Sequence, residues 1–401
     1  DRIKLSYSYV RVGNASGVGA YNINDTYSQA SGSFYGNFPF GTLNSFIPST
    51  SVTDPMIQPE FVTSNEVGLT MEFLKRRIRL DMSAYKGNTK NQISQISTSY
   101  ASGLTNNRIN IGAADTEGME IDLGLTPFDS GNWKWDINAS YATSKMTVTK
   151  VSDQSDEVSL EGGGSTIGIY ATVGEVFPLI KGTDFVYDPQ GHVVIDAISG
   201  NPLISPELEI LGRSTPKYIL GFNSSLSYKN FTLTATADYR TGHQFYSGVK
   251  DQLAWSGYLV ESAQNGRKEF IYPNSVIQTS PGVYVTNTNV PTAGRNDSAF
   301  LNYYSNNYRD ISRNLVMDAT ALKVREITLS YSLPKSYAKA IGLTNFKLTA
   351  LATNPITVLS KQNRGYADPE SSNRGGNAVG LSVTGNYPNT RTYGLSLNLT
   401  F

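Results

Sequence analysis

Cysteine is absent from the 401 residues, so disulfide staples, thiolate metal sites and a cysteine nucleophile are all excluded. Histidine occurs only at His192 and His243. Neither has a serine or carboxylate at a catalytic spacing, and each reads as a solvated residue on or beside a long loop. There is no G-x-S-x-G, no H-E-x-x-H and no P-loop. No apolar run approaches ~18 residues, so no transmembrane helix is expected. An excess of one charge is missing too: 33 Lys+Arg balance 33 Asp+Glu, which gives no bulk attraction to nucleic acid. These gaps leave no cofactor and no metal to expect and no candidate enzyme chemistry.

The residues present point elsewhere. Tyrosine dominates the aromatics, with 25 Tyr against 16 Phe and 3 Trp, and glycine is abundant at 36. Tyrosine pairs an apolar body with a polar tip, which suits both membrane–water interfaces and sugar-binding surfaces. The commanding pattern is period two, the signature of strands with one apolar and one polar face. Ten segments carry it. They begin at Ile3, Val67, Ile78, Met119, Trp133, Tyr218, Phe231, Ile327, Phe346 and Tyr393. The row from Tyr218 to Tyr228 is interrupted only by Ser224. In the segment 315–333 the phase switches between Val324 and Ile327, which predicts a β-bulge near Arg325.

Connection lengths alternate. Long ones fall at about 13–61, 149–215, 246–314 and 357–388, with a medium one near 96–108; short ones fall at 74–77, 127–132, 229–230 and 334–345. Apolar faces carry Phe73, Trp133, Trp135, Tyr228, Phe231, Tyr331, Phe346 and Phe401 near the short turns. They carry Tyr141, Tyr218, Tyr239 and Tyr393 near the long loops. A soluble β-sandwich or solenoid also alternates, but it needs neither alternating loop lengths nor aromatics at both strand ends. The expected fold is therefore all-β: a transmembrane antiparallel β-barrel with long extracellular loops and short periplasmic turns, in the outer membrane. The first residues read as the inside of a strand and have no signal-peptide layout. We expect a partial barrel over 1–401, completed by an N-terminal part outside this sequence.

Several stretches resemble one family in the expected order. They are DRIKLSYSYVRVGN at residues 1–14, the hairpin SNEVGLTMEFLKRRIRLDMSAYKGNTKNQIS, and NIGAADTEGMEIDL with Asn110, Ile111, Gly112, Gly118 and Glu120. MDATALKVREITLSYSLP ending at Leu333-Pro334, Asp368-Pro369-Glu370, Tyr387-Pro388 and the final strand to Phe401 follow. The chain resembles the C-terminal barrel portion of SusC/RagA-type TonB-dependent outer-membrane transporters. The resemblance implies about ten strands of a 22-stranded barrel, with the plug domain and early strands absent from this chain. It also implies a SusD-like surface lipoprotein as lid, the TonB complex acting through the missing N-terminal region, and a glycan or peptide substrate. A terminal aromatic after alternating apolar residues, Tyr393 to Phe401, resembles the signal read by the barrel-assembly machinery.

Substrate contact is then expected from the lumen face and the loops. Lumen candidates are Glu66, Arg79, Asp81, Glu120, Asp122, Asp136, Asp238 and Arg240. Loop aromatics that could meet substrate or lid are Tyr170, Phe177, Phe185, Tyr187, Trp255 and Tyr258. Mixed charges on such a face are ordinarily just solvated, and loop aromatics ordinarily pack within their loops. The run Glu161 to Gly164 reads as a loop tip. Asp184 to Asp196 offers an incomplete calcium pattern, because His192 and Val194 stand where oxygen ligands are wanted; a plain hairpin over the barrel mouth is the better reading. A surface adhesin or structural outer-membrane barrel without transport is the competing function.

Overall fold

The computed structural model describes residues 1–29, 44–98, 100–110, 112–152, 155–162, 166–294, 297–371, 379–382, 384–385 and 387–401. Ten long strands dominate it. They are β1 (Arg2–Asn14), β2 (Glu60–Phe73), β3 (Ile78–Lys90), β4 (Ala113–Ser130), β5 (Trp133–Lys150), β6 (Tyr218–Tyr228), β7 (Phe231–Thr241), β8 (Ala321–Ser332), β9 (Asn345–Leu359) and β10 (Thr392–Thr400). Each pairs antiparallel with the next, so the sheet is a simple meander. All ten expected strands are present, and the connections alternate as expected. Short turns span 74–77, 131–132, 229–230 and 333–344; longer segments span 15–59, 91–112, 151–217, 242–320 and 360–391. The two-residue turn after β6 places Lys229 at φ 52°, the positive-φ geometry that tight hairpins require.

The apolar face is turned to the outside. Phe222, Leu233, Leu329, Leu348 and Leu397 are all exposed, as lipid contact demands and a water-soluble core would forbid. Aromatic rings line up across strands at both ends of this face. At the short turns Trp133 stacks near Tyr228 at 4.2 Å and Phe231 near Tyr331 at 4.8 Å; at the loop end Tyr141, Tyr218 and Tyr239 follow one another at 6.0 and 6.4 Å. The polar interruption at Ser224 is resolved by its neighbour strand, since Trp135 Nε1 donates to Ser224 Oγ at 2.9 Å. A hydroxyl facing lipid without a partner would be costly, and the indole supplies one.

The switch of phase in β8 is a bulge. Thr236 pairs Glu326 and Ala237 pairs Val324, so Arg325 is the extra residue, and the register shifts at the same place against β9. Leu322 and Val324 thereby stay on the outer face with Ile327 and Leu329, while Lys323 and Arg325 turn to the polar side.

Buried apolar residues gather mainly beyond the strand ends, in the loops. One cluster joins Ala254, Leu259, Ala293, Tyr303, Tyr304, Tyr308 and Leu315; a second joins Ile167, Ile169, Ile180, Leu211 and Leu381; a third joins Val148, Val151, Ala171 and Phe177. The long connections are thus a folded cap with its own strands and helices, including the helix Gly248–Trp255. The near absence of helical periodicity in the sequence is consistent with helices this short.

Outer and inner faces predict opposite responses to a cation. Phe222→Arg, between the Tyr218 and Tyr228 rings on a strand flanked on both sides, is expected to destabilise the barrel by roughly 2–4 kcal/mol. Asn223→Arg, on the polar face, is expected to cost far less. Heat-modifiability on gels and denaturant midpoints of the refolded protein measure both; equal losses, or a larger loss for Asn223→Arg, would overturn this assignment of faces.

Candidate functional site

The polar face and the cap meet at the loop ends of β7 and β8. Asp238 and Arg240 follow the alternation of β7, and the β8 bulge adds Lys323 and Arg325 to the same face. From the connection 360–391, Asp368 and Glu370 reach down onto these four side chains. Lys323 Nζ donates to Asp368 Oδ1 at 2.6 Å and to Glu370 Oε2 at 2.7 Å. Arg325 forks between Asp238 and Glu370, with Nη2 to Asp238 Oδ2 at 3.0 Å and Nη1 to Glu370 Oε2 at 2.8 Å. Arg240 bonds Asp238 and Glu370, each at 3.1 Å. Three cations and three carboxylates neutralise one another, and the Lys323 side chain is only 3% exposed. Burial alone would raise the Glu370 pKa, but hydrogen bonds from Arg325 and Lys323 outweigh it and hold it down to about 2.

The structure brings Asp238 and Arg240 into this network. Lys323, Arg325, Asp368 and Glu370 were not singled out as site residues from sequence. Their signal was two cations flanking one valine at a predicted bulge, together with the Asp-Pro-Glu stretch. Arg79 and Asp136 meet elsewhere, near the short turns: Thr126 Oγ1 donates to Asp136 Oδ1 at 2.7 Å and accepts from Arg79 Nη1 at 3.4 Å. Glu66, Asp81, Glu120 and Asp122 stay exposed on the polar face of β2 to β4, with Asp81 directly across from Asp122.

The loop aromatics divide. Phe177 is buried against Val148, Val151 and Ala171, Tyr170 lies under Lys181, and Phe185 sits 6.1 Å from the rings of both Tyr187 and Tyr272. Tyr187 is 45%, Trp255 56% and Tyr258 78% exposed, which leaves surface for a partner. Tyr393 lies exposed on the outer row of β10, and Phe401 lies exposed just past the strand's end.

Ion pairs and a phenol hydrogen bond tie the cap together. Arg313 clamps the buried Asp184 at 2.6 Å, Arg309 bonds Asp251 at 2.6 Å, and Tyr366 donates to Glu261 at 2.7 Å, so the connections 151–217, 242–320 and 360–391 act as one piece. The carboxylates of the calcium pattern are consumed. Asp188 accepts from the Gln190 and His192 backbone N–H groups and pairs the His192 ring at 2.8 Å, Asp196 accepts from Ile198 and Ser199, and Asp184 holds Arg313. Tyr187 bridges Val193 across the turn, which makes this stretch the expected hairpin. In the run Glu161 to Gly164, Gly163 and Gly164 lie outside the described residues. The solvated reading of the histidines needs correction for His243. It is 8% exposed, and burial, aided by Arg240, pushes its imidazole down to about 4, so it is neutral. The cap packs over it because strand Gln244–Ser247 pairs with both Val316–Asp318 and Leu381–Ser382.

The Asn-Ile-Gly…Gly-x-Glu stretch also has local work, apart from Ile111, which lies outside the described residues. Asn110 accepts from Gln58 N–H and donates to the Gln58 and Asn91 carbonyls, stitching the connections 15–59 and 91–112. Gly112 has φ 77° and lies against the Lys150 carbonyl, where a side chain would collide.

Comparison with known proteins accords with this geometry. The sequence profile of the family "TonB dependent receptor-like, beta-barrel" matches residues 3–290. TonB-dependent receptor P3 of Formosa agariphila is 23% identical over 367 residues, covering 84% of this chain and 34% of that protein. TonB-dependent receptor SusC of Bacteroides thetaiotaomicron is 22% identical over 391 residues, covering 92% and 34%. The chain therefore spans about a third of the length of these relatives. Among solved structures, that of the RagAB peptide transporter superposes with a TM-score of 0.71 at 17% identity, covering 100% of this chain and 41% of the other, which shows a shared fold.

Two outcomes test the charge network. Lys323→Ala strips a buried partner from Asp368 and is expected to destabilise the connection 360–391 by about 3–5 kcal/mol, read by its hydrogen exchange or protease protection. Glu370 has a depressed pKa, so its contribution is fully present above the ordinary carboxyl value of 4.5 and is lost as pH falls through about 2. Protection of 360–391 should fall over that window, and Glu370→Gln should flatten the dependence.

Proposed function

The chain belongs to the TonB-dependent receptor-like β-barrel family, and we propose that the protein of which it forms the C-terminal barrel portion imports oligosaccharides or peptides through the outer membrane. It is an outer-membrane protein that crosses with strands. The observation that carries the import reading is the anchoring of the cap on the lumen side. Asp368 and Glu370 bind side chains of the polar face, so the connection 360–391 is held against that face, where it would narrow a passage through the completed barrel.

In this reading a plug domain and the first strands lie N-terminal to the chain and complete the barrel. Engagement of the TonB complex there supplies the energy. A SusD-like lipoprotein seated on the connections 151–217 and 242–320 captures substrate and acts as lid. The exposed Tyr187, Trp255 and Tyr258 support that role, because large aromatics with polar tips are the residues that anchor protein interfaces. Glu66, Arg79, Asp81, Glu120, Asp122, Asp136, Asp238 and Arg240 would line the path, and the Tyr393 to Phe401 row would be read by the barrel-assembly machinery.

Gentle detergent extraction of the full-length protein followed by mass spectrometry is expected to recover a SusD-like lipoprotein. Shortening 242–320 should weaken that complex and nutrient uptake together while the barrel stays folded. A barrel that is repeatedly alone, with uptake unchanged by the deletion, would favour the adhesin. Epitope tags within 151–217 should be reachable on intact cells, whereas a tag at Lys229-Asn230 should not.

A further inference from the structure

Glu120 of the Gly118-x-Glu120 pattern lines a cleft of about 340 Å³ where the polar face meets the cap. Its floor comes from the barrel strands through Tyr85, Glu120, Met146 and Ile219, and its roof from the connection 151–217 through Phe177 and Pro216. Gly118 makes room for one of its walls, the Tyr85 ring. A Cβ there would collide with the Tyr85 ring and lie 2.6 Å from the Thr143 carbonyl oxygen, so the absent side chain lets the ring cross β4.

The chemistry of the walls is uneven. Met146, Phe177, Pro216 and Ile219 make most of the lining apolar. Polar groups around the rim are largely engaged: Thr143 Oγ1 donates to the Lys217 carbonyl at 2.7 Å, and Arg213 bonds the Ser144 carbonyl at 3.3 Å and Thr215 Oγ1 at 3.1 Å. Arg213 does not itself line the cleft, and its guanidinium is spent on the Ser144, Thr215 and Pro216 carbonyls and the Thr215 hydroxyl. Among the described residues, Glu120 is the one charged side chain lining the cleft; it is exposed and has no protein partner.

We propose that this cleft is a subsite for a cationic side chain with an aliphatic stem, such as a lysine or arginine of a transported peptide. The stem would lie on the apolar floor and the cation would reach Glu120 beside the Tyr85 phenol. An apolar pocket with few, well-placed polar groups is the usual form of a small-ligand site, and a charge-assisted bond to a carboxylate gives it selectivity. A pyranose ring, which needs several free donors and acceptors at once, fits these walls poorly. The proposal rests on the importer reading and narrows its substrate class.

The test titrates the full-length receptor in detergent with the tripeptide Ala-Lys-Ala, its norleucine analogue, Ala-Glu-Ala and maltotriose. Ala-Lys-Ala should bind about tenfold or more tightly than the other three. Glu120→Gln should erase the preference for lysine over norleucine. Ala142→Trp, which fills the cleft, should weaken both peptides, and heat-modifiability would confirm that each variant is a folded barrel. Equal binding of lysine and norleucine, a lysine preference that survives both substitutions, or maltotriose as the tightest ligand would each overturn the subsite while leaving an importer intact. A full-length protein that binds and imports none of the four, nor any other nutrient offered to whole cells, would instead remove the importer reading on which the subsite depends.

Discussion

A chain that crosses a bilayer has no water to satisfy its backbone, and every N–H and C=O inside the hydrocarbon must find a partner within the protein. The antiparallel ladder is the answer, and the rest of the structure depends on it. β2 and β3 pair without a break from Phe61 with Lys90 to Phe73 with Ile78, and each later strand joins the same antiparallel ladder, with register shifts where a strand bulges. Pairing at this period forces side chains to alternate, so a strand that shows Phe222 to lipid must show Asn223 to the inside. The same constraint explains small details. Ser224 can occupy the outer row because Trp135 crosses from the next strand to bond it, and the β8 bulge returns the following residues to the lipid phase after the sequence has slipped by one.

The bulge does more than restore phase. By placing Lys323 and Arg325 on the polar face of one strand, it builds the two-pronged cation that receives Asp368 and Glu370. A membrane strand and a distant loop are joined there by charge, with the Lys323 side chain nearly excluded from solvent. Ordering connections as long as 242–320 costs backbone entropy of about 1–2 kcal/mol per residue. Apolar clusters such as Tyr303, Tyr304, Tyr308 and Leu315 offset that cost within the cap, and the ion pairs fix where the cap sits. The described loops are therefore a second folded layer over the strand ends, consistent with family membership.

The sequence by itself determined the strands, their faces and their order, because lipid on one side and water on the other impose a period-two pattern that no soluble element repeats with such loop spacing. The aromatic rows and the bulge at Arg325 were legible for the same reason, since each is a local departure or emphasis within that period. Only the tertiary structure decided which charges meet. Asp238 and Glu370 are 132 positions apart, and nothing periodic links a strand to the loop that folds back over it. It also decided that His243 is buried, although the sequence places it at a loop, because the strands that pair beside it come from the far end of its own connection and from the connection 360–391. Long-range partners are chosen by packing of the cap, and packing is a property of the whole chain rather than of any window along it.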